Sequence, residues 1–380
     1  MATIRVSCGE PSGDLYAGGL SAELQRLDPG CHIFGLGGDR LRAATGGLAW
    51  DYRGLTVTGL IEVLAVLPRT LMMLRRLVVA ARQKRPDVLV VIDYPDFNFR
   101  LASAVCRLGV PVVFYVSPQV WAWRIGRLRT IKRLAARMLV IFPFEEAIYR
   151  EAGVPVEFVG HPLVELARTA EPRDTFLGSL GLDPGAPTVA LLPGSRPNEI
   201  RALLPVLIEA ASMIAARLPR VQFVLARAPG LAPGLFETLG GMQPAPAVVD
   251  GRADDVLAAS DVVLTCSGTA TVQAAIHERP MVVMYRLSPL TYRLGKPFVR
   301  VSTYGMVNLV AGRRIVPELI QDDLTPEAVA REALGVLLDP VKAAEVRAAL
   351  REVRAKLGLE GASRRAAEAV LRVARRQGQG

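Results

Sequence analysis

Gly9-Glu10-Pro11-Ser12-Gly13-Asp14 joins an apolar run, Thr3 to Cys8, to a helical pattern running from Leu15 to Leu27. A strand that ends in a glycine-bracketed turn and leads straight into a helix opens a parallel α/β sheet. Such sheets bind ligands beyond the carboxyl ends of their strands. The two glycines permit close backbone approach, Ser12 suits a helix cap, and amides at the helix start face any anion held there. The lysine of a Walker A loop is absent, and the glycine spacing departs from the dinucleotide fingerprint. Glu10 would repel a phosphate lying directly on the loop. The segment reads either as a site for a neutral polar group, such as a sugar hydroxyl, or as a tight turn with Glu10 solvated.

Outward from this turn, short β-branched runs alternate with longer helical patterns. The strand candidates are Thr3 to Cys8, Ile33 to Leu36, Val88 to Ile92, Val110 to Val116, Met138 to Ile141 and Val156 to Val159. From Leu166 to Pro187 the chain is rich in Pro, Gly and charge, as in a linker. The alternation then resumes with Thr188 to Leu192, Val221 to Leu225, Ala247 to Val249, Val262 to Cys266 and Met281 to Tyr285. Continuous apolar strands suit parallel sheets covered on both faces. At 380 residues the chain exceeds what one core usually organises. The expected fold is therefore α/β, two doubly wound Rossmann-like domains facing a cleft, spanning residues 1–167 and 168–345. Residues 346–380 form a helical tail that packs back across a domain or onto a second chain, which leaves a homodimer open.

Composition narrows the function. The opening lacks a basic region followed by an apolar core and a cleavage site, so the expected location is the cytoplasm. Four widely spaced cysteines without a C-x-x-C pair suit buried thiols, and three histidines share no ligand spacing, so no metal site is expected. A net charge of +10 calls for an anionic partner. Dispersed arginines without interleaved aromatics argue against nucleic acid. A mean hydropathy of +0.30 tilts the choice toward an anionic membrane surface, although no run is long enough to span one.

Several segments carry candidate chemistry. Val88 to Ile92 ends in Asp93-Tyr94-Pro95-Asp96, two carboxylates at a strand end, of which one suits a general base and the other, Asp96, a cap for a helix starting near Asn98; both being caps is the alternative. Pro193-Gly194-Ser195-Arg196 and Ser267-Gly268-Thr269-Ala270-Thr271 each follow an apolar strand and open a helix. Such loops offer amides and hydroxyls to a diphosphate without a metal ion, and Arg196 adds a bidentate cation. Trp121 and Trp123, with Arg124, follow another first-domain strand and either line a sugar or acyl site or join the core. From Leu60 to Val79 a core stripe is expected at Leu60, Val63, Leu64, Leu67, Leu71, Leu74 and Val78, interrupted at Pro68. Ile61, Val66, Met72, Met73 and Val79 fall off it, among Arg69, Arg75 and Arg76, as on a surface that meets acyl chains; a helix buried on two sides is the alternative.

The ordered motifs G-E-P-S-G-D at Gly9, I-D-Y-P-D-F at Ile92, Y-V-S-P-Q-V-W-A-W-R at Tyr115, F-V-G-H-P at Phe158, L-L-P-G-S-R at Leu191, S-G-T-A-T at Ser267 and N-L-V-A-G-R at Asn308 closely resemble the lipid-A-disaccharide synthase family. The resemblance implies a GT-B fold and an inverting glycosyltransferase bound peripherally to the inner face of the cytoplasmic membrane. It implies UDP-2,3-diacylglucosamine as donor and 2,3-diacylglucosamine 1-phosphate as acceptor, with UDP and a β-1,6-linked disaccharide 1-phosphate as products and no cofactor. By the same resemblance Asp93 is the base, with Glu10 and Ser12 at the reacting centre. The donor residues are Ser195, Arg196, Ser267, Gly268, Thr269, Ala270, Thr271, Gln273 and Asn308; Asp96, Trp123 and Arg124 face the acceptor. Two positions depart from the family pattern, Cys8 for the usual alanine and Gln273 where Glu is common. A UDP-sugar 2-epimerase shares the two-domain design and stands as the rival enzyme; a basic nucleic-acid-binding module stands as the non-enzymatic one.

Overall fold

The structure, a computed structural model, describes residues 1–46, 50–53, 60–119, 126–287, 292–293 and 303–377, with the backbone alone for 60–66 and 377. The chain divides into two compact units, Met1–Leu166 together with Leu357–Gly380, and Ala167–Lys356. In the first unit the strands are β1 (Thr3–Cys8), β2 (His32–Gly37), β3 (Trp50–Asp51), β4 (Val88–Ile92), β5 (Val112–Tyr115), β6 (Ala135–Val140) and β7 (Val156–Phe158). Its helices are α1 (Pro11–Leu27), α2 (Asp39–Thr45), α3 (Leu60–Lys84), α4 (Pro95–Cys106), α5 (Arg127–Leu134), α6 (Pro143–Glu151) and α7 (Leu163–Leu166). The second unit holds α8 (Arg173–Ser179), β8 (Thr188–Leu192), α9 (Pro197–Arg217), β9 (Gln222–Arg227), β10 (Ala247–Asp250), α10 (Ala253–Ala259), β11 (Val262–Cys266), α11 (Thr269–Ile276), β12 (Met281–Tyr285), α12 (Met306–Ala311), β13 (Glu318–Ile320), α13 (Pro326–Leu337) and α14 (Pro340–Lys356). The last helix, α15 (Ala362–Gln377), returns to the first unit and packs on α1.

The first sheet runs β3-β2-β1-β4-β5-β6-β7 and the second β10-β9-β8-β11-β12-β13, all pairs parallel. Each sheet is wound outward in both directions from its first strand, so the strand order reverses beside β1 and again beside β8. The strands read as continuous apolar runs because helices cover both faces. One run holds an exception: Arg5 in β1 is fully buried, donates to the Leu77 carbonyl and lies over the Phe34 and Trp50 rings at 5.6 Å each. Burial pushes its guanidinium down to about 10. Helix α9 shows why helices cover the sheets: Ile200, Leu203, Leu204, Leu207, Ala210, Ala211 and Ile214 recur every three or four residues and all are buried.

Four expectations change. Helix α3 continues through Pro68 to Lys84. Its core face is Leu77 and Ala81 with Met73, Leu74 and Val78, while Leu67 and Leu71, expected in the core, are exposed; the turns beyond Val79 set the phase. The stretch from Leu166 to Pro187 is more than a linker, because α8 buries Phe176 and Leu177, and Arg173 ion-pairs with Asp261 at 3.1 Å. Strands β3 and β13 went unexpected because two or three residues are too few to show an alternation. Cys31 and Cys106 are only half-buried, whereas Cys8 and Cys266 are buried. Among the described residues no helix is long and apolar enough to cross a membrane.

Helix α15 docks through polar groups. Glu165 accepts from the amides of Gly361 (2.6 Å) and Ser363 (2.9 Å), completing the helix start. His161 donates its amide to the Leu357 carbonyl (2.8 Å), and its Nδ1 accepts from the Leu163 amide (3.2 Å), which assigns the proton to Nε2. The ring meets Tyr16 and Phe142 edge-on, with centroids at 6.0 and 5.1 Å, and burial pushes it down to about 3. The unfolded chain takes up this proton near pH 6.5 and the folded chain only near 3, so stability is lost as pH falls through that interval. Urea midpoints should therefore fall more steeply from pH 7 toward 4 in the wild type than in His161→Asn; parallel slopes would remove His161 from the acid response.

Candidate active site

In the first unit Cys8 pairs with Ile92, and Ile92 with Tyr115, so Gly9, Asp93 and Val116 leave the sheet at one level. The reversal of strand order lies between β1 and β4, and the crevice it opens is flanked by the Gly9 and Asp93 turns. Close packing fixes the two turns against each other. A Cβ on Gly9 would fall 2.3 Å from the Tyr94 ring, and one on Gly13 would fall 3.3 Å from the Cys8 Cβ and 3.8 Å from the Asp93 Cβ. Tyr94 stacks on Phe97 with centroids 5.3 Å apart, and burial, then the Glu10 charge, raises its phenol above the usual range. Burial also raises the Cys8 thiol, with Asp14 and Asp93 adding to the effect. The substitution at Cys8 therefore places an un-ionised packing group beneath Asp93.

Asp93, Tyr94 and Val116 have φ of 49°, 51° and 65°. Left-handed backbone is costly for non-glycine residues, most of all a β-branched one, and strain of this kind gathers at functional sites. What holds Asp93 is Asn98, buried in α4. Its Nδ2 lies 2.6 Å from the Asp93 carbonyl and 3.3 Å from those of Ile92 and Ser7, and its Oδ1 accepts from Ser7 Oγ at 2.8 Å. One amide thus ties the ends of β1 and β4 together and presents Asp93, half-buried, beyond them.

Two capping assignments need correction. Helix α1 begins at Pro11, with Glu10 as its extended cap residue, so Ser12 is the second helical residue and caps nothing. Helix α4 begins at Pro95, and Asp96 is exposed and ion-paired with Arg127. Asp14 has a clear role: its carboxylate accepts from the amides of Gly38 (2.7 Å), Arg40 (2.9 Å) and Leu41 (3.2 Å), fastening the start of α2 to α1. Trp121, Trp123 and Arg124 lie outside the described residues.

In the second unit Leu192 pairs with Thr265, and the Pro193 to Arg196 and Ser267 to Thr271 loops flank the reversal between β8 and β11. Glu199 completes a capping box, its Oε2 accepting from the amides of Ser195 (2.9 Å) and Arg196 (3.2 Å) while its Oε1 holds the Arg196 guanidinium at 3.1 Å. Gly194, at φ 124°, is required there because a Cβ would lie 2.6 Å from that of Glu199. In the other loop a Cβ on exposed Gly268 would meet nothing within 4 Å, so space is open above it; Thr269 and Ala270 start α11, and buried Thr271 returns its hydroxyl to the Gly268 carbonyl (2.8 Å). Ser267 Oγ reaches the Tyr304 carbonyl at 3.4 Å. Gln273 points its amide nitrogen at Asp254 (3.1 Å), whose same oxygen lies 3.0 Å from His277.

Asn308 is buried, and its amide is used inside the unit. Nδ2 donates to the Val316 carbonyl (2.9 Å) and Glu318 (2.7 Å), and Oδ1 accepts from the amides of Ile315 (2.8 Å) and Val316 (3.1 Å). Buried Glu318 in turn accepts from the amides of Tyr304 (2.8 Å) and Gly305 (2.9 Å). Asn308 therefore shapes the turn beside Ser267 instead of offering an amide to a ligand. Sequence reasoning missed Asn98, Glu199 and Glu318; only Glu199, three residues after a loop that opens a helix, carried a readable signal.

The family described as lipid-A-disaccharide synthetase matches residues 4–373. The lipid-A-disaccharide synthase of Myxococcus xanthus is 46% identical over 97% of this chain and 96% of its own length. That of Geobacter sulfurreducens is 46% identical over 98% of each. Among solved structures, the UDP-GlcNAc 2-epimerase of Neisseria meningitidis bound to UDP-GlcNAc aligns with a TM-score of 0.71 at 12% identity, covering 98% of this chain and 100% of that one. The glycotransferase of kitacinnamycin aligns at 0.62 and 20% identity over 98% and 99%. At those identities the likeness is one of fold, and both glycosyltransferases and epimerases use it.

Replacing Asn98 with Ala frees the Asp93 backbone to leave its left-handed conformation and strands Ser7 Oγ. Unfolding stability should fall by about 1–3 kcal/mol, and turnover should fall at least about tenfold in protein that remains folded. Unchanged turnover in a folded Asn98→Ala protein would separate Asn98 from the site.

Proposed function

The chain belongs to the lipid-A-disaccharide synthase family and is a glycosyltransferase of lipid A biosynthesis, and on that premise we propose that it transfers 2,3-diacylglucosamine from its UDP derivative to 2,3-diacylglucosamine 1-phosphate. The observation that carries the residue assignment is that, in each unit, the motif loops flank the reversal of strand order. Asp93 takes the proton of the acceptor 6-hydroxyl as that oxygen attacks the anomeric carbon. The new bond is C1–O6, the bond to the diphosphate oxygen breaks, configuration inverts, and UDP leaves. Glu10 and Ser12 line the reacting centre, Ser12 on its donor side. Arg196, Ser195 and the amides of the Ser267 to Thr271 loop stabilise charge growing on the leaving diphosphate. Gln273 contributes at the donor ribose through its carbonyl oxygen, and Asn308 contributes indirectly through the Tyr304 turn.

Asp93→Asn keeps the size of the side chain and removes its basic lone pair, so turnover should fall by roughly 10²-fold or more while calorimetry shows UDP affinity unchanged. Arg196→Ala should do the reverse at the binding step, weakening UDP by about tenfold or more. Near-normal turnover in folded Asp93→Asn, measured as UDP release with the diacylated acceptor, would move the base elsewhere. UDP release that needs no acceptor would favour the epimerase reading.

The acylated substrates make a lipid surface the natural place of work. Support comes from α3, where Leu67, Leu71, Met72 and Val79 are exposed among Arg69, Arg75, Arg76 and Arg82. Apolar side chains interleaved with arginines suit acyl chains and anionic head groups. Changing Leu71, Met72 and Val79 to Ser should lower flotation with phosphatidylglycerol vesicles and leave the thermal midpoint within a few degrees, because these side chains are outside the core. Undiminished flotation would end the role of α3.

A further inference from the structure

Helix α15 starts at the carboxyl edge of the first sheet, where Arg365 donates to the Val159 carbonyl (2.8 Å), and runs to the opposite edge. There its last turns meet the residues that open β5 and β6. They enclose a groove of about 480 Å³ lined by Pro111, Ala136, Arg137, Ala369, Arg372, Val373 and Arg376. Ala369 to Arg376 lie 4 to 11 residues beyond Arg365, about 6–16 Å along the helix at 1.5 Å per residue, and the groove meets the sheet where β5 and β6 begin, so it is separate from the crevice beside Asp93.

Three guanidinium groups surround a small apolar floor. Arg372 gives one nitrogen to Glu157, 2.9 Å from each carboxylate oxygen, and among the described residues Glu157 is its ion-pair partner. Arg137 and Arg376 have no carboxylate partner among the described residues. Arg372 and Arg376 are four apart on one helix face, a like-charge spacing that weakens an isolated helix. The dipole at the helix end favours Arg376 there, but it gives no reason for Arg137 to arrive from β6. Guanidinium groups converging on a concavity match the oxygens of a dianionic phosphate, and Ala136, Ala369 and Val373 leave room for the carbon skeleton attached to it.

The geometry points to a phosphomonoester-binding site formed by Arg137, Arg372 and Arg376, taking either a free phosphate compound or the head group of a phosphorylated lipid. The full-length protein is titrated calorimetrically with inorganic phosphate and with glucosamine 1-phosphate. It is also floated with phosphatidylcholine vesicles with and without phosphatidic acid. Arg137→Ser with Arg376→Ser should weaken the response by about tenfold or more and leave glycosyl transfer in detergent unchanged. Arg364→Ser removes a charge from the same helix outside the groove and should bind as the wild type does. Loss confined to soluble phosphates assigns a free ligand, and loss confined to phosphatidic acid vesicles assigns a lipid. Equal binding by wild type and double variant, equal losses in Arg364→Ser, or no saturable binding in either arm overturns the site.

Discussion

The reversal of strand order beside β1 and β8 is the constraint on which the rest depends. Helices leaving the two neighbouring strands go to opposite faces of the sheet, so neither helix covers the crevice between those strand ends. Whatever residues follow the strands must then line it. That is why the Gly9 and Asp93 turns adjoin in the first unit, and why the Arg196 and Ser267 loops flank the same reversal in the second. The same architecture supports epimerases and glycosyltransferases, so the chemistry belongs to the loops and the fold supplies only their position.

Position is set by polar side chains that bind the backbone. Asn98 stitches two strand ends, Glu199 ties Arg196 to its own helix start, and Glu318 with Asn308 holds the turn at Tyr304. Asn98, Asn308 and Glu318 satisfy backbone groups that would otherwise be buried without partners, a loss worth about 1–3 kcal/mol apiece, while Glu199 does the same for amides of an exposed loop. The first unit adds left-handed backbone at Asp93, Tyr94 and Val116, conformations that persist only because the surroundings over-determine them. Asn98, Glu199 and Glu318 thereby decide where the Asp93, Arg196 and Ser267 turns stand.

Much of this was legible along the chain. Thr3–Cys8, Val88–Ile92, Thr188–Leu192, Val262–Cys266 and Met281–Tyr285 are continuous apolar runs bounded by turn residues, and each forms the strand expected of it. The loops that follow carry the site motifs because a parallel sheet leaves ligand groups nowhere else to go. The phase of α3 was not legible: its Pro68 and its apolar surplus both misled a local reading, and packing of Leu77 and Ala81 decided which face turned inward.

The order of apolar runs, turns and motifs, all of them local patterns, was enough by itself to determine two doubly wound sheets, the loops at their carboxyl edges and the family. Tertiary structure alone decided which polar side chains face a ligand and which serve the backbone. Asn308 and Asn98 look alike in sequence, yet one shapes a turn beside Ser267 and the other holds Asp93 in place. Tertiary structure also brought α15 back onto α1, through contacts such as Glu165 with Gly361 that join residues far apart in the chain. No local pattern encodes such a pairing, because its energy depends on burial and partners that exist only once the chain has folded.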